Sequence, residues 1–339
     1  MEPFLRLSVL PVFLLSLCCI TSGCGDRTPS GTCGSDVAGA PDDPIVLESL
    51  ACMTRHGDPV LRDPIEGIPY EVASDGHVFR DADSTLRMIY SGDHAGHSSI
   101  KLATGDDWDR WSVTTTLLGP DIGRAHKETS FYRRAADGTH QIYFIGYDDE
   151  VAYQSEVFVA EADALEGPYT VRPTPVAARG MQAGHDVYLI TSPSVVEHEG
   201  VLHLVYLGWN DSPGEVTEVW TLGSTSDDDG VTWSAPEVVD VPVGMEGQLT
   251  RGPDGRYWAA ASRTFGDNEG ISLGVASHPF GPYDVLPDPI LERSGDAFEL
   301  NEANAPMLAF DESSRTANLY YVGADYEKGW WMMLASTPY

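Results

Sequence analysis

The sequence predicts an all-β fold, a five-bladed β-propeller with its ring closed by an N-terminal strand, and three observations carry that prediction. A strand, polar turn, strand pattern returns five times from about residue 58 onward, at a spacing of roughly 50 residues, the length of one propeller blade. The 339 residues include 34 Gly and 23 Pro with 10% aromatics, which suits many short strands joined by turns. Finally, Gly57-Asp58-Pro59-Val60-Leu61-Arg62-Asp63-Pro64-Ile65 echoes Pro282-Tyr283-Asp284-Val285-Leu286-Pro287-Asp288-Pro289-Ile290. The first run can therefore supply the outer strand that the last blade lacks, removing a free sheet edge. A β-sandwich would not produce five registers of one pattern.

The chain begins with an apolar run, residues 4–20, carrying one basic residue and followed by Thr21-Ser22-Gly23-Cys24. Small residues ahead of a cysteine resemble a bacterial lipoprotein signal peptide, here 1–23, which would leave Cys24 as the lipidated first residue. An ordinary secretory signal and a membrane helix compete with this reading, and Pro11 and the short run disfavour the helix. Cys33 and Cys52 would then be free to pair in an oxidising compartment. Residues 24–57 are expected to be a polar tether and 58–339 the propeller domain. The expected location is that of an exported lipoprotein, at the outer membrane or cell surface.

The five inner strand pairs start at Asp75, Glu128, Ser192, Glu246 and Ala305 and lead into 87–92, 141–146, 202–208, 257–262 and 318–323. Third strands follow at 99–103, 156–160, 219–223, 271–276 and 331–335. Outer strands are legible at 169–171, 237–239 and 283–286.

With 52 acidic against 20 basic side chains, the net charge is −32. Nucleic acid, heparin-like glycans and anionic lipid are excluded as partners by repulsion. A neutral oligo- or polysaccharide fits, with membrane contact only through a lipid anchor. The chain is expected to work as a monomer.

In a propeller the inner strand starts converge on an axial pocket. Three of the five starts are carboxylates. A carboxylate held at a rigid strand end in a poorly solvated cavity has its pKa raised, which makes it a proton donor near neutral pH. The blander alternatives are a surface Glu246, an Asp75 that caps a turn, and a Glu128 paired with Lys127 or Arg124. Loops on the same face bring His94, His97, Tyr147, Asp148, Trp209, Asn210, Arg263, Phe265, Asp325 and Tyr326. Carboxylates ringed by aromatic and hydrogen-bonding groups suit a sugar.

Ser74-Asp75-Gly76-His77, Met245-Glu246-Gly247-Gln248 and the Gly-Pro-Tyr triplets at 167–169 and 281–283 resemble the five-bladed glycosidases of glycoside hydrolase family 43, of arabinanase and xylosidase type, over residues 58–339. The resemblance implies Asp75 as general base and Glu246 as general acid, acting by inversion with carboxyls about 6.5–9.5 Å apart rather than the roughly 5–5.5 Å of retention. Glu128 is a third catalytic candidate. His94, Tyr147, Ser192, Trp209, Asn210, Arg263, Phe265 and Tyr326 are the substrate-binding candidates. The family's second Asp, which tunes the acid, is replaced here by Ser192, and Asp186 or Glu128 are candidate substitutes.

No cofactor is expected to be required. Among histidines 94, 97, 126, 185 and 203, one near the axis has the option of holding calcium or water, as in some relatives. No short His spacing marks a transition-metal site, and His203, alternating within a strand, reads as structural. Ser226-Asp227-Asp228-Asp229-Gly230-Val231-Thr232-Trp233 matches the Asp-box of sialidases, a turn motif rather than a catalytic one, and Thr104–Trp111 is a degenerate copy. A sialidase would need clustered arginines, which the strand starts lack. The main alternative to an enzyme is a surface propeller that binds glycan or protein without turnover.

Overall fold

The computed structural model describes residues 44–148, 153–210, 218–242, 246–262 and 270–339. Apart from a 3-10 turn, Leu47–Ala51, the regular structure of these residues is β. After β1 (Thr54–Arg55), the strands β2 (Glu71–Arg80), β3 (Leu86–His94), β4 (His97–Asp107) and β5 (Arg110–Leu118) form an antiparallel meander. The next comprises β6 (His126–Arg134), β7 (His140–Tyr147), β8 (Glu156–Ala162) and β9 (Thr170–Val171). A hairpin, β10 (Gly180–Gln182) and β11 (His185–Val187), precedes the meander of β12 (Leu189–His198), β13 (Val201–Trp209), β14 (Val219–Ser226) and β15 (Glu237–Val238). Then come β16 (Gly247–Arg251), β17 (Tyr257–Ser262), β18 (Gly270–Ala276) and β19 (Asp284–Val285), with β20 (Leu291–Glu292) also on β18. The last meander is β21 (Glu302–Asp311), β22 (Thr316–Asp325) and β23 (Gly329–Pro338).

Tight turns follow from side-chain chemistry. In Asp137-Gly138-Thr139 the aspartate accepts from the Thr139 N–H at 2.9 Å and Gly138 takes φ 95°, a conformation that costs other residues energy. The middle strands are apolar on both faces. Every residue of β7 is buried, and so is every residue of β13 but the first, because each meander is covered by a neighbour on either side.

The core lies between meanders. Ile89 and Leu102 pack with Ile142 and Phe144; Tyr143 and Val157 with Ile190 and Tyr206; Trp258 and Leu273 with Leu308 and Tyr321. A further cluster joins Met88 and Tyr90 of the first meander to Tyr320 and Met332 of the last. First strands touch in the order β2, β6, β12, β16, β21, and β21 touches β2. Side chains stitch these seams: Ser91 Oγ accepts from the Thr129 N–H at 3.1 Å, Ser194 Oγ from Leu249 at 3.1 Å, and Ser262 Oγ from Ala305 at 3.0 Å.

The N-terminal run lies along β23, with Thr54 opposite Ser336, Arg55 opposite Ala335 and Leu61 opposite Met332. β2 pairs with the other end of β23 in parallel, so the first and last meanders share one sheet. The outer strand that the sequence pattern left unmarked is β5. Its run of Ser112, Thr114, Thr115 and Thr116 faces solvent and lacks apolar alternation. Cys52 is disulfide-bonded. Its expected partner Cys33, the lipidation candidate Cys24 and the signal segment lie outside the described residues.

His77, on β2, is enclosed between sheets. Its ring stacks on Phe131 at 4.0 Å and its Nδ1 accepts from the Tyr132 N–H at 2.7 Å. Burial lowers its pKa to about 3. The unfolded imidazole takes up a proton below about 6.5, whereas the folded one stays neutral down to about 3. Its contribution to stability is thus complete above 6.5 and is lost as pH falls through that window. Between pH 6 and 4, the stability of His77→Gln should fall less steeply with acid than that of wild type, by about 1.4 kcal/mol per pH unit. Denaturant melts at three pH values read this directly, and parallel slopes would refute it.

Candidate active site

Four inner strands carry the same irregularity. The register with the next strand skips two residues between Ser74 and His77, Glu128 and Phe131, Thr191 and Ser194, and Asn304 and Met307. Within each skip one non-glycine residue takes a left-handed conformation: Asp75 at φ 50°, Thr129 at 43°, Ser192 at 52° and Ala305 at 44°. Such bulges re-aim side chains and cost on the order of 1–3 kcal/mol each, a strain typical of functional sites. They also correct the expected alignment. Thr129, not Glu128, is the counterpart of Asp75, and Glu128 corresponds to Ser74. The start of β16 pairs without a skip from Gly247 onward.

Asp75 and Glu246 face one centre. Gln248, two residues beyond Glu246, donates from Nε2 to the carbonyl of Gly76 at 3.3 Å, tying the two strand starts together across the middle of the fold. Both carboxylates are half-buried, and burial is the first cause of the change in their proton affinities. Burial and the charge of Glu128 push the pKa of Asp75 up to about 7, against hydrogen bonds from Ser74 and Ser91 that oppose the rise. Burial, then the charges of Asp75, Glu302 and Glu128, hold the pKa of Glu246 well above the usual carboxylate range. The charges that raise the two groups are carboxylates: Glu128 and Glu302 on Asp75, and Asp75, Glu302 and Glu128 on Glu246.

Glu128 is fixed rather than loose. Its two oxygens accept from Tyr147 Oη at 2.7 Å and Tyr153 Oη at 2.8 Å, and the two rings meet at 4.6 Å. His126 stacks on Tyr147 at 5.0 Å, and His97 lies 4.9 Å from His126. Neither expected partner pairs with Glu128: Lys127 donates to the carbonyls of Gly119 and Arg124, and Arg124 pairs with Asp148 at 2.6 Å.

The fourth carboxylate, Glu302, was not among the sequence candidates. It accepts from Tyr326 Oη and from Asn304 Nδ2 at 2.7 Å, and its charge raises both Asp75 and Glu246. A Glu three residues ahead of Ala305, followed by Asn304, was the available signal. Tyr153, whose ring meets Tyr147 at 4.6 Å and packs against the cluster of Leu189, Leu207 and Trp209, is a further residue that the sequence pattern does not mark.

Other candidates spread outward. Ser192 is buried at its bulge, His94 is exposed beside Gly119, and Tyr326 is partly exposed. Trp209 is buried, donating to Thr191 Oγ1 at 3.1 Å, and Asn210 accepts from the Glu218 N–H at 3.0 Å. Arg263 and Phe265 lie outside the described residues. Asp186 sits exposed on the β10–β11 hairpin and is not among the charges acting on the central pair. His185 stacks on Trp220 at 4.3 Å, and His203 packs with Phe280 at 4.8 Å. The 226–233 turn is closed by Asp228, which accepts from the Thr232 N–H at 2.8 Å, at the end of β13 and β14 opposite Thr191 and Trp209. Among the described residues, no group of three or more His, Cys, Asp or Glu is placed to hold a metal ion.

No protein-family model matches the sequence, and no curated protein matches it. Solved structures do. An α-L-arabinofuranosidase from Podospora anserina in complex with cellotriose has a TM-score of 0.63 at 14% identity, over 85% of this chain and 97% of that one. A GH43_1 enzyme from Xanthomonas citri complexed with xylotriose has a TM-score of 0.58 at 14% identity, over 82% and 90%. An N-acetylgalactosamine deacetylase from F. plautii in complex with blood group B trisaccharide has a TM-score of 0.63 at 12% identity, over 84% and 95%. The chain thus has an all-β propeller fold. In particular, it is similar in structure to the glycoside hydrolases of families 43 and 62. At these identities it is the fold that is shared, and the deacetylase is a reminder that one fold serves several reactions.

Proposed function

We propose that this protein is a glycoside hydrolase acting by inversion on a neutral glycan of arabinose or xylose type, with Glu246 as general acid and Asp75 as general base. The observation that carries the reading is a pair of carboxylates at two strand starts tied together by Gln248, both with proton affinities raised by burial and by neighbouring carboxylates, Asp75 to about 7 and Glu246 well above the usual range. Two such carboxylates can share the work, Asp75 as the anion that takes a proton from water and Glu246 as the acid that gives one to the leaving oxygen. Glu128, clamped by two tyrosines, and Glu302 keep the centre negative. That favours an oxocarbenium-like transition state and disfavours an anionic sugar. The all-carboxylate surroundings argue against the sialidase alternative. The arabinofuranosidase and the family-43 enzyme were solved with cellotriose and xylotriose, both neutral oligosaccharides and the second of the type proposed.

We read the ring order of first strands as five blades, the last completed by the N-terminal run on β23. The disulfide at Cys52 supports a location outside the cytoplasm, with Cys24 as the proposed lipid anchor.

The test is a hydrolysis screen on arabino- and xylo-oligosaccharides, followed by proton NMR of the first product. Expected is release of sugar with the anomeric configuration inverted at the first time point. Retention overturns the mechanism. Binding without release makes the protein a glycan-binding propeller.

A further inference from the structure

Beside Glu302 three aromatic rings meet from three parts of the chain. Tyr70 comes just before β2, Tyr326 from the β22–β23 turn, and Trp330 from the start of β23. The Trp330 ring lies 5.7 Å from Tyr70, near perpendicular at 75°, and 6.2 Å from Tyr326 at 48°. All three keep exposed surface, whereas Tyr90, Tyr320, Tyr321 and Trp331, on the strands around them, are at most 3% exposed. The exposure is therefore local to this corner.

The hydroxyls of the two tyrosines are engaged within the protein. Tyr326 Oη donates to Glu302, and Tyr70 Oη reaches the carbonyl of Tyr326 at 3.5 Å. With the hydroxyls engaged, the exposed surface these residues keep includes ring surface for a sugar to meet. Glu302 is the link to the centre, since the carboxylate that holds Tyr326 is one whose charge reaches both Asp75 and Glu246. The parallel pairing of Val72 with Trp330 fixes the corner to the seam between the first and last meanders.

We propose that Tyr70, Tyr326 and Trp330 form a sugar-stacking platform that holds the unit adjoining the one cleaved, so that the substrate is a neutral oligo- or polysaccharide chain rather than a monosaccharide glycoside. A sugar ring offers C–H faces to aromatic rings and hydroxyl edges to acceptors, and here Glu302 is the acceptor beside the platform. The word "cleaved" rests on the glycosidase reading; the platform rests on the ring geometry.

The test is binding to Glu246→Gln protein, which is not expected to turn substrate over, by calorimetry and tryptophan fluorescence. The probes are xylose, xylotriose and xylotetraose, and arabinose with the matching arabino-oligosaccharides. Expected is at least about tenfold tighter binding of the trisaccharide than of the monosaccharide in one series, about 1.4 kcal/mol. Trp330→Ala should remove that increment, Trp330→Phe should keep most of it, and Tyr70→Ala should reduce it independently, in proteins with unchanged thermal midpoints. An increment that survives both alanine variants overturns the proposal, as does its absence from both series. Platform-dependent binding without hydrolysis by wild type would uphold the platform and remove only the cleavage reaction.

Discussion

Glu246→Gln and Asp75→Asn are each expected to lower turnover of a natural oligosaccharide by about 10²–10⁴-fold, the usual worth of a positioned general acid or base. They should differ in kind. A dinitrophenyl glycoside has a leaving group that departs without protonation, so Glu246→Gln should recover most of its activity there, while Asp75→Asn, which must still activate water, should not. In wild type, kcat/KM should rise through about pH 7 as Asp75 ionises, and the loss of the Glu246 proton, held well above the usual carboxylate range, should set the falling limb. Replacing Asp75 should remove the rising limb. A variant pair that loses activity equally on both substrates would sink the assignment of roles.

The same variants should be more stable than wild type above neutrality. Asp75 has its pKa raised from 3.8 to about 7 by burial and by Glu128. The folded state therefore holds this proton more tightly than the unfolded one. The contribution of Asp75 is complete below pH 3.8 and is lost as pH rises towards 7. Asparagine carries no charge to bury, so Asp75→Asn should melt higher at pH 8, by about 2 °C for each kcal/mol recovered in a domain of this size. The gain should vanish near pH 4. A site that loses function and gains stability on one substitution is the expected trade-off for an enclosed catalytic carboxylate.

The fold was legible because a meander repeats its hydrophobic alternation and its turns, and both are written in residue type. The Asp137-Gly138 and Asp254-Gly255 turns announce themselves, and Tyr169 and Tyr283 repeat one contact, each donating back to a carbonyl four residues earlier, at 2.9 and 3.0 Å. Asp75 and Glu246 were legible because they stand where strands begin. The register of Glu128 was not. The bulge that shifts it is a backbone event, with Thr129 and Ala305 at positive φ and no glycine to mark it. Glu302 escaped for the same reason, three residues ahead of a bulge at Ala305. Tyr70 and Trp330 are 260 residues apart in sequence and meet only because β2 pairs with β23, a seam that local periodicity does not reveal.

Asp63→Ala should be among the most destabilising single substitutions in the protein, costing about 3–5 kcal/mol, because it strands a buried charge. Asp63 is 6% exposed, accepts from Lys101 Nζ at 2.5 Å and from Tyr90 Oη at 3.1 Å, and its own carbonyl accepts from the Val72 N–H at 2.9 Å. The pair has no slack: a Cβ at Gly92 would lie 2.6 Å from Asp63 Oδ2 and 2.7 Å from the Lys101 stem. Removing the carboxylate leaves the ammonium of Lys101, on a side chain only 12% exposed, without its anion. It also frees the run that lies along β23, exposing a strand edge at the seam between the first and last meanders. Lys101→Met alone should cost less, since Tyr90 still donates to Asp63. The double change Asp63→Leu with Lys101→Met should recover most of the loss, because an apolar pair of similar volume avoids the desolvation of both charges. Denaturant unfolding of the four proteins gives the coupling energy, and hydrogen exchange at β23 shows whether the loss is local to the seam. A cost below about 1 kcal/mol for Asp63→Ala would place this pair with ordinary surface salt bridges and remove it as the fastening of the N-terminal run.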